Sequence, residues 1–356
     1  MKDDIENNNE DKIELLSCAL EGGCSAKIPP DLLEKTLSPL LKTKVDSNLL
    51  SDVDIGDDAG VYKISEDNAI IFTVDFFPPV VADPYLFGEI AACNSISDIY
   101  AMGGEPKLAL NITMYPKENS LNTLATILKG GQDKATEAGV LVVGGHTITD
   151  TAIKYGMAVI GFANPNNITT NSAAKDGDII ILTKPLGTGA CLAAMRQGLI
   201  KESAITDVFN AMSTLNKKAC AVMNKYNAKC ATDITGFGLS GHAFKMAKAS
   251  DVTIEISTSA LPMFNKTYEV LDMGCIPGAA FTNMRYVGEN ILVDENVDYS
   301  LKMLAFDPQT AGGLFICVDK DNAENMLADL WREGIDCAVI VGRVTKKNRE
   351  YIHLTK

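Results

Sequence analysis

The chain has 356 residues, 46% hydrophobic and 22% charged, enough for two domains of ordinary size because one core rarely grows past ~250–300 residues. Its 32 Lys and Arg stand against 46 Asp and Glu, a formal net charge of −14, which excludes a non-specific polyanion clamp, since that role needs Lys and Arg to displace condensed counterions. No apolar run nears the ~20 residues of a bilayer span, the acidic N-terminus lacks the apolar core of a secretory signal, and nine scattered cysteines without a CxxC pair point to free thiols in the cytoplasm, with no nucleic-acid or membrane partner expected.

Residues 1–20 read as a solvated, mobile tail. The stretch 21–30, EGGCSAKIPP, places Cys24 three residues before Lys27. A nearby cation favours thiolate and so suits a nucleophile or soft-atom ligand, although on this segment alone an ordinary loop cysteine and a surface lysine are the simpler account of the pair. Asp52, Asp54, Asp57 and Asp58 crowd seven positions; their repulsion is relieved by solvent or by a divalent cation. Ala69–Val74 is predicted as a strand with Asp75 at its carboxyl end, the place of a catalytic carboxylate in an α/β sheet. Tyr85–Met102 is predicted as a helix stopped by Gly103 and Gly104, and its Asn94 and Asp98, four apart, share one face. That face is either a metal or substrate contact or an exposed polar surface.

Leu108–Met114 reads as a strand, Leu121–Ala138 as a helix ending at Gly139, and Val140–Val143 as a strand running into Gly144, Gly145, His146 and Thr147. Glycines there would let backbone amides approach a phosphate, but the pattern is neither a Walker A motif nor GxGxxG. Lys154–Gly161 is a further strand, and the turn ANPNN at 163–167 separates a first domain, 21–163, from a second, 164–356. Beyond it, strands are expected at Asp178–Thr183, Val252–Ser257, Leu314–Val318 and Ala338–Val344, and helices at Ile205–Lys225, Leu239–Ala249 and Ala323–Glu333. The segment 231–242, ATDITGFGLSGH, leads into one of these helices, whose amino end favours anions, or is simply capped by Thr235 or Asp233. Asp307–Gly313 is a similar turn before a strand. No role is assigned to His242, a helix residue satisfied by its neighbours, or to His353, in a C-terminal strand or tail. Alternating strands and helices make the fold α/β or α+β.

Taken in order, GGCSAK, DDAGVY, TVDFF, NSISDIYAMGG, GGHT, LTKPLGTG, ATDITGFGLSGH and DPQTAGGL closely resemble the selenophosphate synthetase (selenide, water dikinase) family of the PurM-like ATP-binding superfamily. The resemblance implies a two-domain PurM/AIR synthetase-like fold, with an N-terminal sheet domain that forms a homodimer and a C-terminal α/β domain that closes over the nucleotide. It implies magnesium-dependent transfer of the ATP γ-phosphoryl group to hydrogen selenide, then hydrolysis of bound ADP, giving selenophosphate, AMP and orthophosphate. By matching position, Cys24 and Lys27 are catalytic, and Asp58, Asp98 and Asp233 bind several Mg2+ ions. Lys27, Ile55, Gly56, Asp57, Asp75, Asp98, Gly145, His146 and Thr147 would contact ATP. Ala26 stands where many relatives carry a second cysteine, which leaves Cys24 alone to handle selenium, and Gly22 and Gly23 would hinge its segment. The alternatives are another PurM-like enzyme, of aminoimidazole ribonucleotide synthetase or thiamine-monophosphate kinase type, and a non-catalytic ATP-binding protein of selenium metabolism.

Overall fold

A computed structural model of the chain describes residues 15–18, 22–28, 30–37, 46–51 and 56–356, with the backbone alone for Cys18, Cys24, Pro30, Asp31 and Glu34. Most of the expected tail, and Asp52, Asp54 and Ile55 of the acidic stretch, lie outside the described residues. Leu15–Cys18, inside that tail, forms a 3-10 turn with Leu15 fully buried, so this part is packed rather than solvated. A short helix, α1 (Pro30–Leu37), follows the Cys24 segment.

The first sheet contains β1 (Gly60–Lys63), β2 (Ala69–Phe77), β3 (Glu105–Tyr115), β4 (Leu141–Thr149) and β5 (Lys154–Ala163), in the order β1-β2-β5-β3-β4. Only β3 and β4 pair in parallel. Helices α2 (Pro84–Ala101) and α3 (Leu121–Ala138) cover one face. Asp83 caps α2 by accepting from Leu86 N, with Pro84 in the first turn, where its missing N–H is not needed. Ser120 caps α3, and Gly139, at φ 84, ends it. The two helices meet at backbone distance: a Cβ on Gly88 would lie 2.0 Å from Ile127 O, and one on Gly130 2.0 Å from Tyr85 O.

Strand alternation divides β2 between two surroundings. Ala69, Ile71 and Phe77 are buried under the helices, whereas Phe72, Val74 and Phe76 stand exposed on the opposite face, beside Leu110, Ile148, Ile160 and Phe162. Two expectations change here. β2 does not stop at Val74 but runs through Asp75 to Phe77, and β4 continues through Gly144, Gly145, His146 and Thr147, which are strand and not a phosphate loop. Gly145 has a packing reason instead, because a Cβ there would meet Asn111 O at 2.4 Å.

The second sheet contains β6 (Ile179–Leu182), β7 (Cys230–Asp233), β8 (Val252–Ser257), β9 (Ile291–Val293), β10 (Leu314–Val318), β11 (Val339–Lys346) and β12 (Ile352–Thr355), in the order β7-β10-β6-β11-β8-β12-β9. Around it lie α4 (Thr188–Arg196), α5 (Thr206–Met212), α6 (Lys217–Lys225), α7 (Gly238–Ser250), α8 (Thr267–Asp272), α9 (Gly278–Val287), α10 (Tyr299–Leu304) and α11 (Lys320–Arg332). Every residue of β10 is buried, as a central strand covered on both faces requires. One face of this sheet shares a continuous apolar core with the first domain, so the two sheets are packed together through α2, α5 and α6.

The single helix expected over Ile205–Lys225 is broken into α5 and α6 at Ser213–Asn216. Tertiary contacts take the backbone there: Thr214 O accepts from Lys184 Nζ at 2.6 Å and from Cys93 Sγ at 3.2 Å, and the Asn216 side chain donates to Ser97 Oγ and Gly312 O at 2.9 Å each. Neither Thr235 nor Asp233 caps α7. Phe237 occupies that position without a side-chain bond, and Gly238 behind it is in the left-handed region, at φ 66.

Candidate active site

The site forms where the helix-covered face of β2 meets the end of β7. Thr73 and Asp75 alternate onto the α2 side of β2, and α2 presents Asn94 and Asp98 to them one turn apart. Thr73 Oγ1 donates to Asp98 Oδ2 at 2.5 Å, Asn94 Nδ2 donates to Asp75 Oδ2 at 2.6 Å, and Ser95 Oγ donates to Asp75 O at 2.8 Å. The amide of Asn94 is itself held from the second domain, since Ala311 N donates to Asn94 Oδ1 at 2.9 Å. Ala311 is buried in the left-handed region, at φ 50, a strained choice for a residue with a Cβ.

From the second domain, β7 supplies two neighbouring side chains on opposite faces. Thr232 Oγ1 donates to Asp58 Oδ1 at 2.9 Å, and Asp233, almost fully buried, bonds to Ser97 of α2. Asp57 Oδ1 accepts from Asn171 N at 2.8 Å, and Asn171 Nδ2 donates to Gly56 O at 3.0 Å. Oδ2 of Asp58 and Oδ2 of Asp233 are buried without a hydrogen-bond partner.

Desolvation pushes the Asp58 carboxyl well above its ordinary range, the Asp233 carboxylate adds to this, and the Lys245 ammonium and the Thr232 hydroxyl oppose it. Asp98 is likewise raised, first by desolvation and then by the charges of Asp233, Asp75 and Asp58. Asp233 rises by desolvation against the Ser97 bond and the Lys27 charge. Asp58, Asp75, Asp98 and Asp233 therefore share one electrostatic neighbourhood built from a loop, a strand, a helix and the other domain. Among the described residues no three His, Cys, Asp or Glu side chains form a set able to hold a metal ion by themselves.

Lys27 reaches this neighbourhood, with Nζ 3.3 Å from Asp75 Oδ2. The backbone around Cys24 is a 3-10 turn (Gly23–Ala26) anchored by Gly23 N on Pro78 O at 3.1 Å; the Cys24 side chain lies outside what is described. Gly22 and Gly23 are wedged between the domains: a Cβ on Gly22 would lie 2.5 Å from Pro79 O, and one on Gly23 2.5 Å from Thr310 Oγ1.

Gly145, His146 and Thr147 are not brought to the carboxylates within one chain. Asp75 pairs with Met157, Met157 with Asn111, and Asn111 with Gly145, so Gly145 stands in the row of Asp75 but three strands away, about 14 Å at ~4.8 Å per strand. His146 pairs with Ile112 and points with it to the exposed apolar face. On that face a cavity of about 660 Å3, walled by Phe72, Val74, Leu110 and Ile160, reaches Asp57 and Asp58.

Four contributors escaped the sequence reading. Thr73, Thr232 and Ser97 each bond a site carboxylate, and Lys245 lies beside Asp58 and the Gly56 backbone. Alternation in β2 could have flagged Thr73, which shares the face of Asp75; the others depend on the domains meeting.

The family model "AIR synthase related protein, N-terminal domain" matches residues 56–163, and "AIR synthase related protein, C-terminal domain" matches 175–355. The chain is 47% identical over 339 residues to a selenide, water dikinase of Porphyromonas gingivalis, covering 95% of this chain and 97% of the relative. It is 45% identical over 331 residues to a selenide, water dikinase of Clostridioides difficile, covering 93% and 95%. Thiamine monophosphate kinase from Aquifex aeolicus shares the fold, with a TM-score of 0.63 at 20% identity over 91% of this chain and 94% of that one.

Proposed function

The chain belongs to the selenide, water dikinase family, and from that premise we propose that the segment bearing Cys24 and Lys27 works selenium chemistry over a magnesium nucleotide held at the domain junction. The reaction is ATP, hydrogen selenide and water to selenophosphate, AMP and orthophosphate. The observation that carries the assignment of residues is the seat of that segment, with Lys27 Nζ 3.3 Å from Asp75 Oδ2.

Asp58, Asp98 and Asp233 would hold magnesium. They are hard oxygen donors, two of their oxygens are buried without a hydrogen-bond partner, and their desolvated charges need a cation nearby. Magnesium usually takes one or two carboxylates together with phosphate oxygens and water, so a ligand set completed by the nucleotide suits these residues. When bound, it supplies positive charge to the triphosphate oxygens as each phosphoryl group leaves.

Lys27 would exchange the Asp75 carboxylate for a phosphate oxygen, keeping its ammonium beside the transferred group. Cys24, three residues before it, would carry a thiolate favoured by that ammonium, and its soft sulfur suits selenium. Asn94 and Thr73 keep Asp75 and Asp98 turned into the site through the bonds given above. Gly56 and Asp57, next to Asp58 in the chain, are assigned to ATP contact by resemblance, and Asp57 lies at the lip of the apolar cavity. Ile55, outside the described residues, is assigned to the same contact by resemblance.

The exposed face holding Phe72, Val74, Leu110, Ile160 and Phe162 is a larger apolar surface than isolated exposed side chains make, which supports a homodimer closed by this sheet. Such a dimer offers a route for Gly145, His146 and Thr147, on the same sheet, to reach the partner's nucleotide. A cytoplasmic setting fits the free cysteines among the described residues, and no described helix is long and apolar enough to cross a membrane.

Phosphorus NMR of the protein with ATP, magnesium and selenide under anaerobic conditions tests the reaction. Selenophosphate with accumulating AMP is expected; ADP as the stable product would overturn it. Cys24→Ser should abolish selenide-dependent turnover while nucleotide still binds. A non-catalytic nucleotide-binding protein would show no turnover in either form.

A further inference from the structure

His242, in the first turns of α7, is buried against Phe237, with ring centroids 5.5 Å apart. Thr235 N lies 3.2 Å from His242 Nε2 and donates to it. A backbone N–H can only donate, so Nε2 bears the lone pair and the ring hydrogen of a neutral imidazole sits on Nδ1. Burial, followed by the charges of Lys245 and Lys27, holds the ring well below its ordinary pKa and hence neutral. Nδ1 faces Thr232 Oγ1 at 3.4 Å, and that hydroxyl is 2.9 Å from Asp58 Oδ1. With Asp58 ionised, the state in which it would face a magnesium ion, the orientation that serves both contacts is Nδ1–H donating to Oγ1 and Oγ1–H donating to Oδ1. Without the first donor, the hydroxyl has a second acceptor within reach, Asp233 O at 3.3 Å.

We propose that His242 is a positioning residue for the magnesium nucleotide: acting through Thr232, it commits Oδ1 of Asp58 to a hydrogen bond and leaves Oδ2 as the oxygen presented to the ion. The inference rests on Asp58 being a magnesium ligand. The imidazole does not touch substrate or metal. It transmits the polarity of the Thr235 amide through two hydrogen bonds to one carboxylate oxygen.

The test has two parts. In nitrogen-15 NMR of the wild-type nucleotide-free protein, the His242 ring should show a protonated Nδ1 and a bare Nε2, and its resonance is identified among only three histidines by its loss in His242→Asn. In calorimetric titrations with magnesium and a non-hydrolysable ATP analogue, His242→Leu should raise the magnesium concentration for half-maximal binding about tenfold, the scale of one hydrogen bond in a charged network. His242→Asn, which keeps an N–H donor near the place of Nδ1, should stay within about threefold of wild type, and in a Thr232→Val background His242→Leu should add less than about twofold. A bare Nδ1, or an undiminished His242→Leu effect without the Thr232 hydroxyl, overturns the inference. If Asp58→Asn leaves magnesium dependence unchanged, the magnesium assignment of Asp58 itself fails. If Asp58→Asn weakens it while His242→Leu does not, only the positioning role fails. Should His242→Leu not fold, Thr232→Val takes its place, since it breaks the same path: a magnesium requirement within about twofold of wild type overturns the inference.

Discussion

Lys27 Nζ lies 3.3 Å from Asp75 Oδ2, with the two side chains 37% and 13% exposed. The contact joins the segment that carries Cys24 to a strand of the first sheet. A pair this exposed contributes at most about 1 kcal/mol to stability. Lys27→Met should therefore melt within a few degrees of wild type while selenide-dependent turnover falls by at least about a hundredfold, the scale of losing one preorganised charge at a transferred phosphoryl group. Retained turnover in the phosphorus NMR assay would remove Lys27 from the chemistry.

Asp98 has its folded pKa raised above its ordinary value by desolvation and by three neighbouring carboxylates. Its contribution to stability is therefore complete below the unfolded pKa and is lost as pH rises through the folded one. Asp98→Asn should flatten that decline and raise the melting temperature of the nucleotide-free protein at neutral and higher pH, while lowering activity and the thermal shift produced by magnesium with nucleotide. A lower melting temperature at pH 8 than wild type would contradict the sign.

Asp307 tests the same linkage away from the nucleotide. It is fully buried, its Oδ2 accepts from Gly189 N at 3.0 Å and Gln309 Nε2 at 2.8 Å, and burial pushes its pKa up to about 8. Its contribution is thus lost progressively between the unfolded value of 3.8 and about 8. Urea midpoints measured at pH 6 and pH 9 should fall more for wild type than for Asp307→Asn, and equal falls would show that Asp307 does not titrate there.

Gly130→Ala places a methyl group 2.0 Å from Tyr85 O, where backbone and not a flexible side chain must move. Urea unfolding should show a loss of about 1–3 kcal/mol, the range for overpacking a close contact. A neutral result would mean that α2 and α3 can separate without penalty.

Val74→Asp puts a charge on the exposed apolar sheet face; sedimentation should show the wild type as a dimer and the variant as a monomer, and a monomeric wild type would remove the proposed interface. Mixing His146→Ala with Asp98→Asn protein, each nearly inactive, should restore about a quarter of wild-type turnover once subunits exchange, because half the molecules are then heterodimers with one intact site. No recovery would place His146 in its own chain's site or in neither.

The sequence alone determined much of this protein because local rules leave few choices. Helix α3 is bounded by Ser120 and Gly139, the apolar runs of β8 and β10 have strand length, and the order of eight motifs leads to the family. Asp58, Asp75, Asp98 and Asp233 were all legible as residues. Their meeting was not, because hydrogen bonds between segments as far apart as Thr232 and Asp58 leave no local trace. Only the tertiary structure broke the 205–225 helix, by using Thr214 and Asn216 for contacts with other segments. It also extended β4 through Gly145 and His146, because β3 supplies a hydrogen-bonding partner there, and it turned His242 from an idle helix residue into the end of a hydrogen-bond path to Asp58. The acidic excess followed the same division: composition set its size, while burial and the joining of two domains decided which carboxylates share one electrostatic neighbourhood.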